Sequence, residues 1–386
     1  MKKILALILA LVMALSLVAC GEKAPADDSN DEPEYKVAMV TDYGDITDQS
    51  FNQTTYEACK AFCEPNGVDF TYYKPAGDSD AERIAMIEKA IDEGYNVIVL
   101  PGFAFANAVA GTAAANPDVM FIALDVSEYD LTTALTAAGQ STTIPANVYC
   151  AVYQEELCGY MSGYAAVKMG YTKLGFLGGM AVPAVQRYGY GYVQGIDAAA
   201  KELGITVDLN YVYGGLFYGT PDFTAAMDTW YQGGTEVVFA CGGGIFTSAV
   251  EAAVKVDGAK VIGVDVDQAG VIAGVAGQSD KSLTVTSAMK GLYPTTVDTL
   301  TDVIVNGNWE KYAGKVATLG LVSGTDPEAN YVQIPMESTQ WCDAFTQDNY
   351  KAMVKAMYEG SIVVSADTSA APVVTNVNVT YQDQIA

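Results

Sequence analysis

One set of side chains in this sequence has the types and the placing to hold a small molecule. Asp42, Asp125 and Asp265 each close a short apolar run, and Asp267 follows directly. Tyr43, Phe51, Phe103 and Phe246 supply aromatic rings near the ends of such runs, Asn52 an amide and Lys290 a cation. Carboxylates accept paired hydrogen bonds from vicinal hydroxyls. Aromatic faces stack on flat rings at roughly 1–3 kcal/mol each, on the scale known for nucleic-acid bases. The set therefore suits a neutral ligand with hydroxyls and a planar part, and its excess of acids disfavours a phosphate. Gly242-Gly243-Gly244 offers backbone donors at a helix start, with Gly243 at its centre. That turn lacks the Lys and Ser/Thr of a phosphate loop, and tight strand–helix packing is the simpler account of its glycines. Of Asp265 and Asp267, one is expected to touch ligand and the other to cap. Lys290 also fits a plain surface role.

These residues need elements to position them. In Lys36–Gln53, the run Val37 to Val40 is too short for anything but a buried strand. Asp42 sits where it ends, and Gly44 lets the following loop turn. Ser50-Phe51-Asn52-Gln53 reads as a capping box, with the Ser50 hydroxyl and the Gln53 amide satisfying backbone N–H groups. A helix then carries Phe51 and Asn52 in its first turn. In open α/β sheets, ligands bind beyond the carboxyl ends of the strands. Core packing of Phe51 and loop capping by Asp42 are the plainer alternatives.

The alternation continues. Strands are expected at 70–73, 96–100 and 119–124, with helices at 81–93 and 105–115 between them. A break at 141–147 precedes a second series: helix 154–168, strand 174–177, helix 184–203, strand 207–213, helix 222–232, strand 236–240, helix 246–256 and strand 260–264. Strands at 283–286, 315–321 and 330–334 and helices at 294–306 and 345–358 complete the chain; 361–365 is extended. Residues 366–386 read only as extended, docked loosely or not at all. Repeated βαβ units give parallel sheets covered on both faces. The expected class is α/β, with two similar Rossmann-like lobes joined by hinge strands and a ligand cleft between them. The first lobe would comprise 36–145 and 287–315, the second 146–286 and 316–386.

The start of the chain lies outside that fold. Lys2, Lys3 and the apolar run from Ile4 to Val18 read as a signal peptide, residues 1–19. Leu17-Val18-Ala19-Cys20 resembles a bacterial lipobox, in which Cys20 becomes the lipid-bearing first residue; plain secretion with cleavage nearby is the alternative. Residues 20–35 are polar and acidic, with Pro25 and Pro33, and read as a tether.

The formal net charge is −26. So acidic a chain repels nucleic acid and anionic membrane surfaces. Histidine is absent, which removes the commonest general base and zinc ligand. No metal or cofactor is expected. Beyond Cys20, six cysteines remain: Cys59, Cys63, Cys150, Cys158, Cys241 and Cys342. Their even number permits disulfides outside the cytoplasm; small buried hydrophobes are the other reading.

The segments VTDYGDITDQSFNQ, EELCGYMSGYAAVKMGYTKLGFLGGMAVPAVQRYGYGYVQG, EVVFACGGGIFTSAVEAA, VIGVDVDQ and TSAMKG, in that order, resemble the basic membrane protein family of ABC-transporter substrate-binding lipoproteins. The resemblance runs from about Lys36 to Lys290. It implies a type I periplasmic-binding-protein fold and capture of a nucleoside, purine above all, with the base between aromatic rings and the ribose held by carboxylates and a lysine. Carried over by motif, Asp42, Phe51 and Asn52 lie in the first binding loop, Asp125 follows the fourth strand, Asp265 lies in VDVDQ and Lys290 in TSAMK. Phe246 is the candidate second ring, although GGGIF departs from the more usual GGTG-like turn.

The resulting expectation is a non-enzymatic, monomeric receptor, lipid-anchored at the extracytoplasmic face of the cell membrane. It would deliver nucleoside to an ABC permease and its ATPase. A receptor for a free sugar or other hydroxylated metabolite, a nucleoside hydrolase, and a surface sensor without a transport role are the rival readings.

Overall fold

The computed structural model describes residues 34–385, so the signal peptide and Cys20 lie outside the described residues. A six-stranded sheet runs in the order β11-β5-β4-β3-β1-β2. Its strands are β1 (Lys36–Val40), β2 (Asp69–Tyr73), β3 (Val97–Pro101), β4 (Met120–Leu124), β5 (Val148–Tyr153) and β11 (Lys315–Leu319). A seven-stranded sheet runs β12-β10-β9-β8-β6-β7-β13. It contains β6 (Lys173–Gly178), β7 (Val207–Tyr213), β8 (Val237–Cys241), β9 (Lys260–Asp265), β10 (Thr284–Lys290), β12 (Val332–Gln333) and β13 (Val377–Tyr381). Every pairing is parallel except β10 with β12.

The strand sequences explain the layering. Val37 and Met39 enter one apolar cluster, while Ala38 and Val40 enter another. In β8, Val237, Phe239 and Cys241 likewise face one cluster, and Val238 and Ala240 a second. Side chains alternate across a strand, so near-continuous apolar runs need helices on both faces. The α-helices among the described residues are α1 (Phe51–Asn66), α2 (Asp80–Asp92), α3 (Ala106–Thr112), α4 (Glu128–Ala137), α5 (Glu155–Lys168), α6 (Pro183–Leu203), α7 (Pro221–Gln232), α8 (Phe246–Ala253), α9 (Ala269–Val275), α10 (Leu292–Leu300) and α11 (Gln347–Tyr358).

The two sheets repeat one plan. β5-β4-β3-β1-β2 in the first matches β10-β9-β8-β6-β7 in the second, the doubly wound order in which ligands collect at the strand-order switch. Backbone details repeat as well. Asp125 follows β4 with φ 63°, and Asp265 ends β9 with φ 64°. Gly102 follows β3 with φ 130°, and Gly242 follows β8 with φ 140°. Left-handed backbone is uncommon for a residue with a side chain, Asp and Asn being the tolerant types.

The sheets divide the chain differently from the expected lobe boundaries. The segment 148–153, unassigned from sequence, is β5 and belongs to the first sheet, as does β11; β10 belongs to the second. The chain thus crosses between sheets after Tyr153, after Lys290 and after Leu319. These crossings are tied to one another: Gln154 N donates to Leu319 O at 2.9 Å, Tyr331 N to Gly320 O at 3.0 Å and Gly291 N to Tyr331 O at 2.7 Å. The last stretch also differs from expectation, since β13 pairs in register with β7, Val377 opposite Val207 through Tyr381 opposite Tyr211.

Helices α5 and α6 pack backbone to backbone. A Cβ on Gly159 or Gly163 would lie 2.2 or 2.4 Å from the carbonyl oxygens of Tyr188 and Tyr192. One on Gly191 or Gly195 would lie 2.1 Å from those of Glu156 and Tyr160. Glycines four apart on each helix make this approach possible. It brings the start of α5, with Glu155 and Glu156, against Arg187 and Tyr188 of α6. The six cysteines are free thiols, all buried except Cys342.

Candidate functional site

The C-terminal strand ends of the two sheets face a shared cavity of about 360 Å³. The first sheet's loops contribute Asp42, Tyr43, Phe51, Asn52, Phe103 and Asp125; the second's contribute Gly243, Asp265 and Lys290. Nine of the ten residues expected at the ligand therefore line one space. Phe246 does not. It is 1% exposed, inside the cluster formed with Phe223, Ile245 and Val250. The helix phase of α8 turns it into the core. Phe217, from the loop after β7, lines the cavity instead. Its ring lies over Gly179 and Gly242, where a Cβ would come within 2.3 and 2.7 Å of it. An aromatic in the glycine-rich run Gly214 to Gly219, at a strand's carboxyl end, was the available signal.

The Asp42 carboxylate is held on the first sheet's side. Its Oδ1 accepts from the backbone N–H groups of Tyr43 and Gly44, both at 2.6 Å, and from Asn52 Nδ2 at 3.1 Å. Burial raises its pKa, and those hydrogen bonds pull it back. Asn52 donates also to Asp48, which leaves its buried Oδ1 without a partner among the described residues.

The expected capping box forms only in part: the Gln53 amide oxygen accepts a backbone N–H, that of Gln49 at 3.1 Å, but the Ser50 hydroxyl accepts none. Asp48 takes that part, accepting from the N–H groups of Ser50, Asn52 and Gln53 at 2.9–3.1 Å. A carboxylate outcompetes a hydroxyl for the positive helix end, which frees Ser50 Oγ to donate to Asp265 Oδ2 at 2.6 Å. Asp267 is the capping member of its pair, accepting from Ala269 N at the start of α9.

Lys290 is the electrostatic centre. Its ammonium lies 2.6 Å from Asp125, and 3.5 Å from both Glu155 and Asp265. It also stands 4.6 Å from the Phe51 ring centroid and 5.6 Å from those of Tyr153 and Tyr188. Burial opposes its charge, but Asp125, Asp265 and Glu155 outweigh burial and raise its pKa. Lys290 is thus a buried ion-pair centre rather than a surface lysine. Behind it, fully buried Glu155 accepts from Arg187 Nε at 2.6 Å. Asp265 Oδ1 accepts further from Tyr188 OH at 3.1 Å. Burial pushes the Asp125 carboxyl up to about 6 against the pull of Lys290, and its Oδ1 has no partner among the described residues. Glu155, Arg187 and Tyr188 escaped the sequence reading, because their placing depends on helix contacts that no local pattern reports; Ser50 was read only as a cap.

Direct bonds also link the two sets of loops. Gln268 Nε2 donates to Gln49 O at 3.0 Å, and Tyr43 OH lies 3.7 Å from Met180 Sδ. What this arrangement can do is hold a neutral solute. Acceptor atoms are in surplus and rings come from both sides, while the buried cations are already paired.

Residues 35–364 match the family described as ABC transporter substrate-binding protein, PnrA-like. The chain belongs to that family. It is 28% identical over 283 residues to the ABC transporter nucleoside-binding protein BmpA of Lactococcus lactis subsp. cremoris, covering 69% of this chain and 75% of the relative. It is 24% identical to basic membrane protein B of Borreliella burgdorferi, covering 83% and 88%. A solute-binding protein of an ABC transporter system from Aeropyrum pernix K1 superposes with TM-score 0.65 at 20% identity, over 85% of this chain and 87% of that one. Another from Conexibacter woesei gives 0.64 at 21%, over 86% and 99%. At such identities the likeness concerns the fold, which is that of the type I periplasmic-binding proteins. This PnrA-like chain is accordingly an ABC substrate-binding protein. Among its described residues no helix is long and apolar enough to cross a membrane.

Proposed function

We propose that the protein captures a nucleoside, with purine nucleosides preferred, in the cavity between its two sheets. It then hands the nucleoside to an ABC permease and performs no chemistry on it. The observation that carries this reading is that Phe51 and Phe217, one ring from each sheet's loops, line the same cavity as Asp42, Asn52, Asp125 and Asp265. A planar base fits between rings. The unpartnered Asp125 Oδ1 and Asn52 Oδ1 suit N–H or O–H donors of the ligand. The acidic surplus disfavours nucleotides. The family and the nucleoside-binding name of the Lactococcus relative support the same reading. The division into two lobes moving about the three crossings, the monomeric state and lipid anchoring through Cys20 at the extracytoplasmic face of the cell membrane belong to it as well.

The test is calorimetric titration of ligand-free, refolded protein with inosine, adenosine, guanosine, cytidine and free ribose. Binding of purine nucleosides, weakened at least about tenfold in Phe51→Ala, is the expected result. Equal binding of free ribose with no loss in Phe51→Ala would identify a sugar receptor. Release of free base during incubation would identify a hydrolase.

A further inference from the structure

The family match ends at residue 364, yet the chain beyond it completes the second sheet. Strand β13 lies outside β7, whereas the equivalent β2 in the first sheet has no outer neighbour among the described residues. The segment is firmly fastened at its start. Thr375 N and Asn376 N both donate to Asp197 Oδ1, at 2.9 and 2.6 Å, and Asn376 O accepts from Val207 N at 3.0 Å. Past the strand the bonding continues: Gln382 N donates to Tyr211 O at 2.9 Å, and Ile385 N to Tyr213 O at 3.1 Å. Gln382 Oε1 accepts from Trp230 Nε1 at 3.3 Å, and Tyr381 packs on Tyr211 with ring centroids 5.1 Å apart.

Tyr213 is the last residue of β7, and the next segment delivers Phe217 to the cavity. That loop is fixed through its backbone to neighbouring segments, Tyr218 bridging to Gly244. Gly214 N and Gly215 N donate to Gly178 O and Gly179 O, and Phe217 O accepts from Gly244 N at 2.8 Å. The Phe217 ring rests on glycines, so its position follows the backbone at the loop's base. We propose that residues 375–385 form a brace that sets the Phe217 loop, so that a segment touching no part of the cavity determines how tightly a planar ligand is held. Without it β7 becomes an edge strand, its terminal carbonyls lose their donors, and local opening spreads into the loop. The affinity part of this inference rests on the proposed function; the loop-ordering part does not.

Two variants test it: deletion of residues 375–386, and Gln382→Pro/Ile385→Pro, which removes the two terminal donors together with the Gln382 side-chain bond to Trp230 and leaves β13 itself in place. Hydrogen exchange on ligand-free protein is expected to quicken about tenfold across 211–219 and to stay unchanged across 42–50. Purine nucleoside affinity should fall about tenfold in the Phe217-containing protein and less than about twofold in a Phe217→Ala background. Unchanged exchange in 211–219 in a folded variant overturns the proposal, as does an equal affinity loss with and without Phe217. Should the deletion variant not fold, the double-proline variant decides by the same readouts. A wild-type protein that binds no nucleoside defeats the proposed function and leaves the exchange result standing.

Discussion

Ser50 and Asp265 are joined by a 2.6 Å hydrogen bond although they sit 215 residues apart and serve different sheets. The bond exists because Asp48 relieves Ser50 of capping α1. Their roles should separate on mutation. Ser50→Ala leaves Asp265 short of one donor and is expected to weaken ligand retention by about 1.5–3 kcal/mol, as for other bonds to charged groups. Exchange in α1 should stay normal. Asp48→Ala should fray the first turn of α1, at about 0.5–2 kcal/mol. Dissociation kinetics and hydrogen exchange on both variants check the distinction.

Lys290 compensates three buried carboxylates at once. Lys290→Met should cost roughly 3–5 kcal/mol at neutral pH, the range for stranding one side of a buried ion pair. The loss should shrink at low pH, where protonation of Asp125, whose carboxyl burial pushes up to about 6, removes part of the uncompensated charge. Denaturant midpoints at pH 5 and pH 8 give the comparison.

Glu156 supplies a pH signature of opposite origin. It is 3% exposed, and its Oε2 has no partner among the described residues. Burial lifts its pKa from 4.5 to about 7, with Glu155 adding to the rise. The fold therefore favours the protonated carboxyl. That stabilisation is complete below 4.5 and disappears as pH climbs through about 7. Glu156→Gln mimics the protonated form, so it should match wild type at pH 4.5 and exceed it by about 1–3 kcal/mol at pH 8. Thermal melts across that range are the measurement.

Gly195→Ala would place a methyl 2.1 Å from the Tyr160 carbonyl oxygen. Helix propensity favours alanine by up to about 1 kcal/mol, but overpacking at a backbone contact costs about 1–3 kcal/mol or more. Destabilisation is expected to win. A displaced α6 should also shift Arg187 and Tyr188 and weaken ligand binding. Chemical denaturation together with titration tests both effects.

Much of this site could be read before any coordinates. Asp42, Asp125 and Asp265 end apolar runs, and the doubly wound order sends every such end to the same edge. Tertiary competition hid the rest. Ser50 matched a capping box that Asp48 pre-empted. Phe246 had the right chain position but the wrong helix phase. Phe217 needed knowledge of which loop reaches across, and β13 pairs with a strand 170 positions earlier. Glu155 and Arg187 meet only because the glycine contact between α5 and α6 brings those helices together.

The left-handed turns at Asp125 and Asp265 make the binding chamber a mirror of backbone around unlike furnishings. Lys290 closes β10, whereas Tyr153 closes its counterpart β5; Gly179 and Met180 follow β6, whereas Thr41 and Asp42 follow β1. Such a chamber has a distinct head and foot. A guest with dissimilar extremities meets different side chains at each end, so one orientation is favoured over its reverse.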